Sequence, residues 1–153
     1  MELVLKEQLK VKAIRAVDTY AVRHPVLRAG KPIDTCAFAG DDLDTTFHLG
    51  CFYEDELIGV ASFLENDHAE HHLINAGQLR GMAVLQTHQG KGIGKILLTF
   101  GEAQLRTKHK SVVWMNAREV AVPFYTKLGY AIIGNVFDVP GIGPHYVMHK
   151  TIG

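Results

Sequence analysis

The chain has no surplus of either charge, since 16 Lys and Arg balance 16 Asp and Glu over 153 residues. A protein that tracks a polyanion carries a basic excess, so nucleic acid is not an expected partner. No apolar stretch approaches the roughly 20 residues that cross a bilayer. The opening residues, Met1-Glu2-Leu3-Val4-Leu5-Lys6, lack a basic segment followed by an apolar core. Neither a membrane span nor a secretory signal is therefore expected. Cysteine is scarce: Cys36 and Cys51 stand in no metal or redox spacing. They read as reduced, semi-buried thiols of a cytoplasmic protein. Low-complexity tracts and internal repeats are also missing, and 47% hydrophobic residues exclude a disordered chain. What remains is one folded domain, 1–153, with a core of its own. Composition leaves the oligomeric state open between monomer and homodimer.

The elements alternate. Residues 10–13 read as a first strand, and Asp18 as the N-cap of a helix over 19–27, with Pro25 kinking it or ending it early. Residues 29–44 carry Gly, Pro and Asp and read as a loop with one short helical turn. Two strands, 47–53 and 57–64, form a hairpin around Glu54-Asp55-Glu56. A polar connection over 65–76 holds His68, His71 and His72, which lack further ligands at metal spacing and read as solvated. A strand over 79–84 is followed by a short connection at 85–88. The next helix runs to about residue 108, with Ile93, Ile96, Leu97, Phe100 and Ala103 at helical spacing. A strand at 112–115 precedes a short helix at 120–128, which Gly129 stops. Strands at 130–137 and 145–149 close the chain. Runs of strands interrupted by a few helices indicate a mixed α/β, three-layer fold.

The most informative segment is Gln89-Gly90-Lys91-Gly92-Ile93-Gly94, with Lys95 next. Strand, glycine-rich turn and helix N-terminus make an anion site: glycines let backbone N–H groups converge, and the helix end adds unpaired donors and a positive dipole. A Walker A loop fails, because position 89 is Gln and position 96 is Ile. A dinucleotide fingerprint fails by register, its last glycine falling at 94 rather than 95. The pattern [QR]-x-x-G-x-[GA] fits through Gln89, Gly92 and Gly94. It resembles the pyrophosphate loop of the GNAT superfamily of acyl-CoA-dependent N-acetyltransferases. The segment Trp114-Met115-Asn116-Ala117-Arg118, then Pro123-Phe124-Tyr125-Thr126-Lys127-Leu128-Gly129-Tyr130, is similar to that family's second signature.

The resemblance implies a mostly antiparallel sheet, flanked by helices and splayed at a cofactor wedge. It implies acetyl-CoA as co-substrate and no metal. The pantetheine arm would bond to the backbone of Met82, Ala83 and Val84 and to Asn116, and the pyrophosphate would rest on Gln89, Gly90, Lys91, Gly92, Ile93, Gly94 and Lys95. Attack on a thioester develops an oxyanion, which a fixed N–H such as that of Met82 would stabilise. The Tyr125 hydroxyl would serve the departing thiolate as acid.

A narrower resemblance rests on Leu27-Arg28, Gln78-Leu79-Arg80-Gly81-Met82-Ala83, Asn116-Ala117-Arg118 and Gly143-Pro144-His145. These are similar to the bacterial glyphosate N-acetyltransferase branch, and the similarity covers the chain from the first helix onward. It implies that Arg28, Arg80 and Arg118 grip a small anionic amine, an amino acid or aminophosphonate, and that His145 acts as base. Planar guanidinium forks suit carboxylate or phosphonate oxygens. Blander readings stand beside these. Arg28 terminates a helix, Arg118 pairs near Glu119, His145 is a surface histidine, and Tyr125 packs on the sheet. Rival functions are acetylation of a protein or peptide, and a non-catalytic acyl-CoA sensor, which would need neither Tyr125 nor His145.

Overall fold

The computed structural model describes residues 8–153; the segment 1–7, read above as carrying no secretory signal, lies outside the described residues. Among the described residues, seven strands follow the apolar segments: β1 (Leu9–Ile14), β2 (Phe47–Tyr53), β3 (Glu56–Glu65), β4 (Ala76–Val84), β5 (Val112–Arg118), β6 (Ala131–Val139) and β7 (Gly143–Thr151). The α-helices are α1 (Tyr20–Leu27), α2 (Ile93–Thr107) and α3 (Val122–Lys127). The sheet order is β1-β2-β3-β4-β5-β7-β6. The β1–β2, β2–β3, β5–β7 and β6–β7 pairs are antiparallel, and β4–β5 is parallel. The mixed, mostly antiparallel sheet flanked by helices matches the expected fold class.

The chain divides into two compact units, one built from residues up to Leu64 with Gly81–Ala103, the other from Glu65–Arg80 with Gln104–Gly153. In the first, β3 is buried on both faces, and its alternation assigns each face a helix. Val60 packs with Val22 of α1, and Ser62, on the same face, bonds Arg23 of that helix. Gly59 and Phe63 face α2: a Cβ at Gly59 would lie 2.8 Å from Ile93, and one at Gly101 would collide with the Phe63 ring. The expected three layers are thus present in this unit.

Several boundaries differ from the sequence reading. Asp18 does not cap α1. It ends the first turn of a 3-10 segment, Ala16–Thr19, where its carboxylate accepts the Arg15 N–H at 2.9 Å. Helix α1 keeps Pro25 inside and ends two residues later at Leu27. The buried face of α2 is Ile93, Leu97, Leu98 and Leu105, while Phe100 is 52% exposed and Ala103 lies outside. The face rotates because Gly101 lets the Phe63 ring lie against the helix backbone. Both cysteines are fully buried rather than semi-buried, and burial pushes the Cys51 thiol up to about 11. Among the described residues, no helix is long and apolar enough to cross a membrane.

In the second unit the parallel β4–β5 ladder covers only Ala76↔Val112, Gly77↔Val113 and Gln78↔Trp114. Strand β5 does not end at residue 115 as expected. It runs on to Arg118, paired with β7 throughout. One face of β5 carries Trp114, Asn116 and Arg118, and its apolar part packs with Leu73, Ala76, Val112 and Val147. Gly129, at φ +96, closes α3, and the Tyr130 N–H returns to the Tyr125 carbonyl at 3.1 Å.

Candidate active site

The glycine-rich turn is built entirely in the first unit. After β4, a 3-10 turn over Gln86–His88 leads into the loop. The Gln89 amide donates to the Val84 carbonyl at 2.9 Å, so its side chain ties the loop to the strand end. Gly90 and Gly92 have φ of +77° and +81°, and a Cβ at either would meet nothing within 4 Å. Their glycines are there for backbone shape, not for crowding. The Ile96 N–H bonds the Gly92 carbonyl at 3.1 Å, which starts α2 and leaves the N–H groups of Ile93, Gly94 and Lys95 in its first turn. Gln89, Gly90, Lys91 and Gly92 are exposed or half-exposed, as an anion cradle requires. The donor set fits a pyrophosphate.

Upstream on β4, Gly81 has φ +63°, a value only glycine adopts cheaply within a strand. A Cβ there would lie 3.1 Å from both Arg23 Nε and Phe38 Cε2. Met82, Ala83 and Val84 follow this break, with Ala83 buried and the other two half-buried. Beneath Gly81 is a polar network that sequence reasoning missed altogether. The Arg23 guanidinium, fully buried, donates to both Asp41 carboxylate oxygens at 2.7 and 3.0 Å, to the Cys36 carbonyl at 2.8 Å and to Ser62 Oγ at 2.9 Å. Ser62 in turn donates to His48 Nδ1 at 2.6 Å, and His48 Nε2–H donates to the Asp41 carbonyl at 3.0 Å. Burial by itself would raise the Asp41 carboxyl. Hydrogen bonds from Arg23 and the Phe38 N–H outweigh it and hold the group below the usual carboxylate range. An arginine at an apolar helix position was the available signal.

Arg28 is the C-cap of α1, and its guanidinium donates to the Leu27 carbonyl at 2.9 Å and stacks 4.8 Å from the Phe38 ring centre. The helix-terminating reading of Arg28 is met, with further guanidinium donors left over. Arg23 lies on the same ring at 4.0 Å.

The second unit brings together another set. His145 is buried and stands opposite Arg118 across β5–β7, with Asn116 opposite Val147. A carbonyl can only accept, so the 2.8 Å contact of His145 Nδ1 with the Gly143 carbonyl puts the ring proton on Nδ1 and the lone pair on Nε2. That is the tautomer a base needs. His145 is therefore no surface histidine. Arg118 is exposed and makes no ion pair among the described residues. Arg80 is half-buried on β4. Tyr125 is 7% exposed, its ring against Phe124 and Tyr130 at 5.1 and 6.0 Å. Burial pushes its phenol up to about 12. The reading of Tyr125 as a packed aromatic is met.

His72 is exposed as read, but His68 and His71 are half-buried rather than fully solvated. Their rings lie 4.8 Å apart, and His68 meets Trp114 edge-on at 4.7 Å. Both line a cavity of about 460 Å³ on the Asn116 face. Among the described residues, no group of three or more His, Cys, Asp or Glu is arranged to hold a metal ion.

A family model described as "Acetyltransferase (GNAT) family" matches residues 15–130. The chain is 40% identical over 144 residues to the "Uncharacterized N-acetyltransferase YitI" of Bacillus subtilis (strain 168), covering 94% of this chain and 97% of the relative. Its fold is similar to an aminoglycoside 6'-N-acetyltransferase solved with coenzyme A, at TM-score 0.76 and 15% identity over 94% and 97% of the two chains. It is equally similar to the ribosomal-protein-S18-alanine N-acetyltransferase of Escherichia coli, at TM-score 0.74 and 15% identity over 95% and 94%. At such identities the structures share a fold, and their different acceptors say nothing of this chain's own.

Proposed function

The chain belongs to the GNAT acetyltransferase family, and from that premise we propose acetyl transfer from acetyl-CoA to the amine of a small anionic molecule. The acceptor class is an amino acid or aminophosphonate, similar to what the glyphosate N-acetyltransferase branch takes. The observation that carries the cofactor half is the open turn at Gly90 and Gly92, tied to the strand by Gln89. Gln89 through Lys95 would hold the pyrophosphate, and the backbone of Met82, Ala83 and Val84 with Asn116 would hold the pantetheine arm.

The acceptor amine attacks the thioester carbon directly in a ternary complex. The new C–N bond forms as the C–S bond breaks. The second nitrogen proton leaves as the amide forms and balances protonation of the released sulfur to the coenzyme A thiol. The first must leave the ammonium before attack. His145 Nε2, free of its ring proton, accepts it. Arg28, Arg80 and Arg118 bind the acceptor's anionic group in forks. Tyr125 serves the departing sulfur. A phenol at about 12 is protonated throughout the working range, whereas a thiol titrates near ~8.5. Tyr125 therefore acts chiefly through a hydrogen bond that stabilises the thiolate. The two free, buried thiols suit the reducing cytoplasm.

The test is thiol release from acetyl-CoA over a panel of acidic amino acids, aminophosphonates, glyphosate and a basic peptide. Turnover with the small anions is expected. Turnover with the peptide alone would make the acceptor a protein, and coenzyme A binding without any turnover would make the chain a sensor.

A further inference from the structure

The cavity on the Asn116 face of the second unit owes its existence to a break in β6. Ile133 pairs with Val147 and Phe137 with His145, so residues 134, 135 and 136 face only Tyr146 across the ladder. This bulge pushes three residues off the sheet, and Gly134, at φ +81°, turns the chain there. A Cβ on Gly134 would lie 2.5 Å from His71 Cε1, so the glycine also admits the imidazole. The connection that carries His71 is held in place. Trp114 Nε1 donates to the Asn66 carbonyl at 2.7 Å, Asn66 Nδ2 to Gln78 Oε1 at 2.9 Å, and the Ala76 N–H to the Asp67 carboxylate at 2.9 Å. The result is a cavity of about 460 Å³, the size of a small-molecule site, whose lining includes His68, Glu70, His71, Asn116, Asn135 and Phe137.

Its position ties it to His145. The Phe137 ring lies 5.8 Å from the His145 ring, and Phe137 is the cross-strand partner of His145. Asn116 is on the same face of β5 as Arg118, two residues along. An amine presented to His145 Nε2 would therefore extend its remaining atoms over Phe137 toward Asn135 and Glu70. Of the polar groups in the lining, the amides and imidazoles each offer a donor or an acceptor. Glu70 alone has a fixed sign, and its carboxylate only accepts. It makes no ion pair among the described residues.

We infer that this cavity receives the side arm of the acceptor and, through Glu70, selects an arm bearing hydrogen-bond donors, such as an amide or guanidinium. The inference rests on the transferase reading above and shifts its amino-acid option from acidic side arms to donor-bearing ones: the α-carboxylate is the anionic group that goes to arginine, and the donor arm goes to the cavity. An anionic arm meets Glu70 with like charge. An apolar arm displaces water from Glu70 and from the exposed Asn116 and Asn135 amides without replacing its hydrogen bonds, whereas a donor arm replaces them.

Four amino acids with one nucleophilic amine each test it: L-arginine, L-glutamine, L-leucine and L-glutamate. At saturating acetyl-CoA, kcat/KM is expected to favour arginine and glutamine over leucine and glutamate by about tenfold or more. Glu70→Gln should collapse the arginine-to-leucine ratio, and Glu70→Lys should move the preference to glutamate. Glu70 is exposed, so both variants are expected to fold. Arginine titrated into ¹⁵N-labelled protein should shift amides at 68–71 and 134–137. Transfer without any arm preference, or a preference that both Glu70 variants leave intact, overturns the inference and leaves the transferase reading standing. Amide shifts without transfer to any amine overturn the transferase reading and keep the cavity as a ligand site. Neither shifts nor transfer overturns both.

Discussion

His145 stands directly opposite Arg118 across β5 and β7, its Nδ1 tied to the Gly143 carbonyl at 2.8 Å. Side chains opposite one another in an antiparallel pair have Cβ atoms about 5 Å apart. A proton acceptor and a permanent cation therefore share one face of the sheet. The carbonyl settles which nitrogen carries the hydrogen, and the guanidinium supplies a fork for an anion next to the free lone pair. Under the proposed transfer, a substrate that is both amine and anion would meet both needs within one pair of strands.

His145→Ala is expected to lower turnover by about 10²–10⁴-fold. The acidic limb of the pH–rate profile should vanish with it, because that limb reports protonation of the Nε2 lone pair. A variant with the same acidic limb as the wild type would show that another group accepts the proton.

Tyr125→Phe removes one oxygen and keeps the ring contacts with Phe124 and Tyr130. We expect kcat to fall at least about tenfold, in line with loss of one preorganised donor, while the urea midpoint stays near that of the wild type. Because burial holds the phenol at about 12, wild-type turnover should show no alkaline limb from this group below about pH 10.5. A limb there that disappears in Tyr125→Phe would contradict the assigned environment.

Two glycines of α2 and its approach should behave oppositely. At Gly92 a Cβ meets open space, so Gly92→Ala costs only the left-handed backbone, about 1–2 kcal/mol. It should still raise the KM for acetyl-CoA about tenfold or more by disturbing the convergent N–H groups. At Gly101 a Cβ would run into the Phe63 ring, and Gly101→Ala should cost about 1–3 kcal/mol or more through overpacking. Calorimetry with coenzyme A and urea melts separate the two. Equal effects of both variants on coenzyme A affinity would remove the loop from the binding site.

The Arg23–Asp41 pair carries a stability prediction. Asp41→Ala leaves a fully buried guanidinium without its carboxylate, at an expected cost of about 3–5 kcal/mol in urea unfolding. The pH dependence has a definite sign. The folded carboxyl lies below its unfolded value, so its contribution is complete above the unfolded pKa of about 4 and is lost as pH falls through the folded value. Wild-type stability should therefore drop on acidification below about pH 4–5. In Asp41→Asn that drop should be shallower. An unchanged slope would mean the carboxylate is not held ionised by Arg23.

Local chemistry made much of the protein legible in its sequence. The register of Gln89, Gly92 and Gly94 depends only on neighbours in the chain, and it appears in the structure as an open turn leading into α2. The β2–β3 hairpin, the helical run from Ile93 and the stop at Gly129 are likewise short-range events, set by period and turn residues. What the sequence could not reveal depends on which faces meet. Phe100 has the right spacing for the buried stripe of α2, yet Phe63 against Gly101 turns that stripe toward Leu98 and Leu105. Arg23 looks like any helix arginine until Asp41, Cys36 and Ser62 converge on it from distant segments. His68 and His71 lie in a polar stretch that reads as solvated. Only Trp114 beneath His68, and Gly134 making room for His71, turn them into the wall of a cavity. Periodicity records that a side chain is apolar or polar; tertiary packing decides what it meets, because contact energies belong to pairs of residues brought together by the fold.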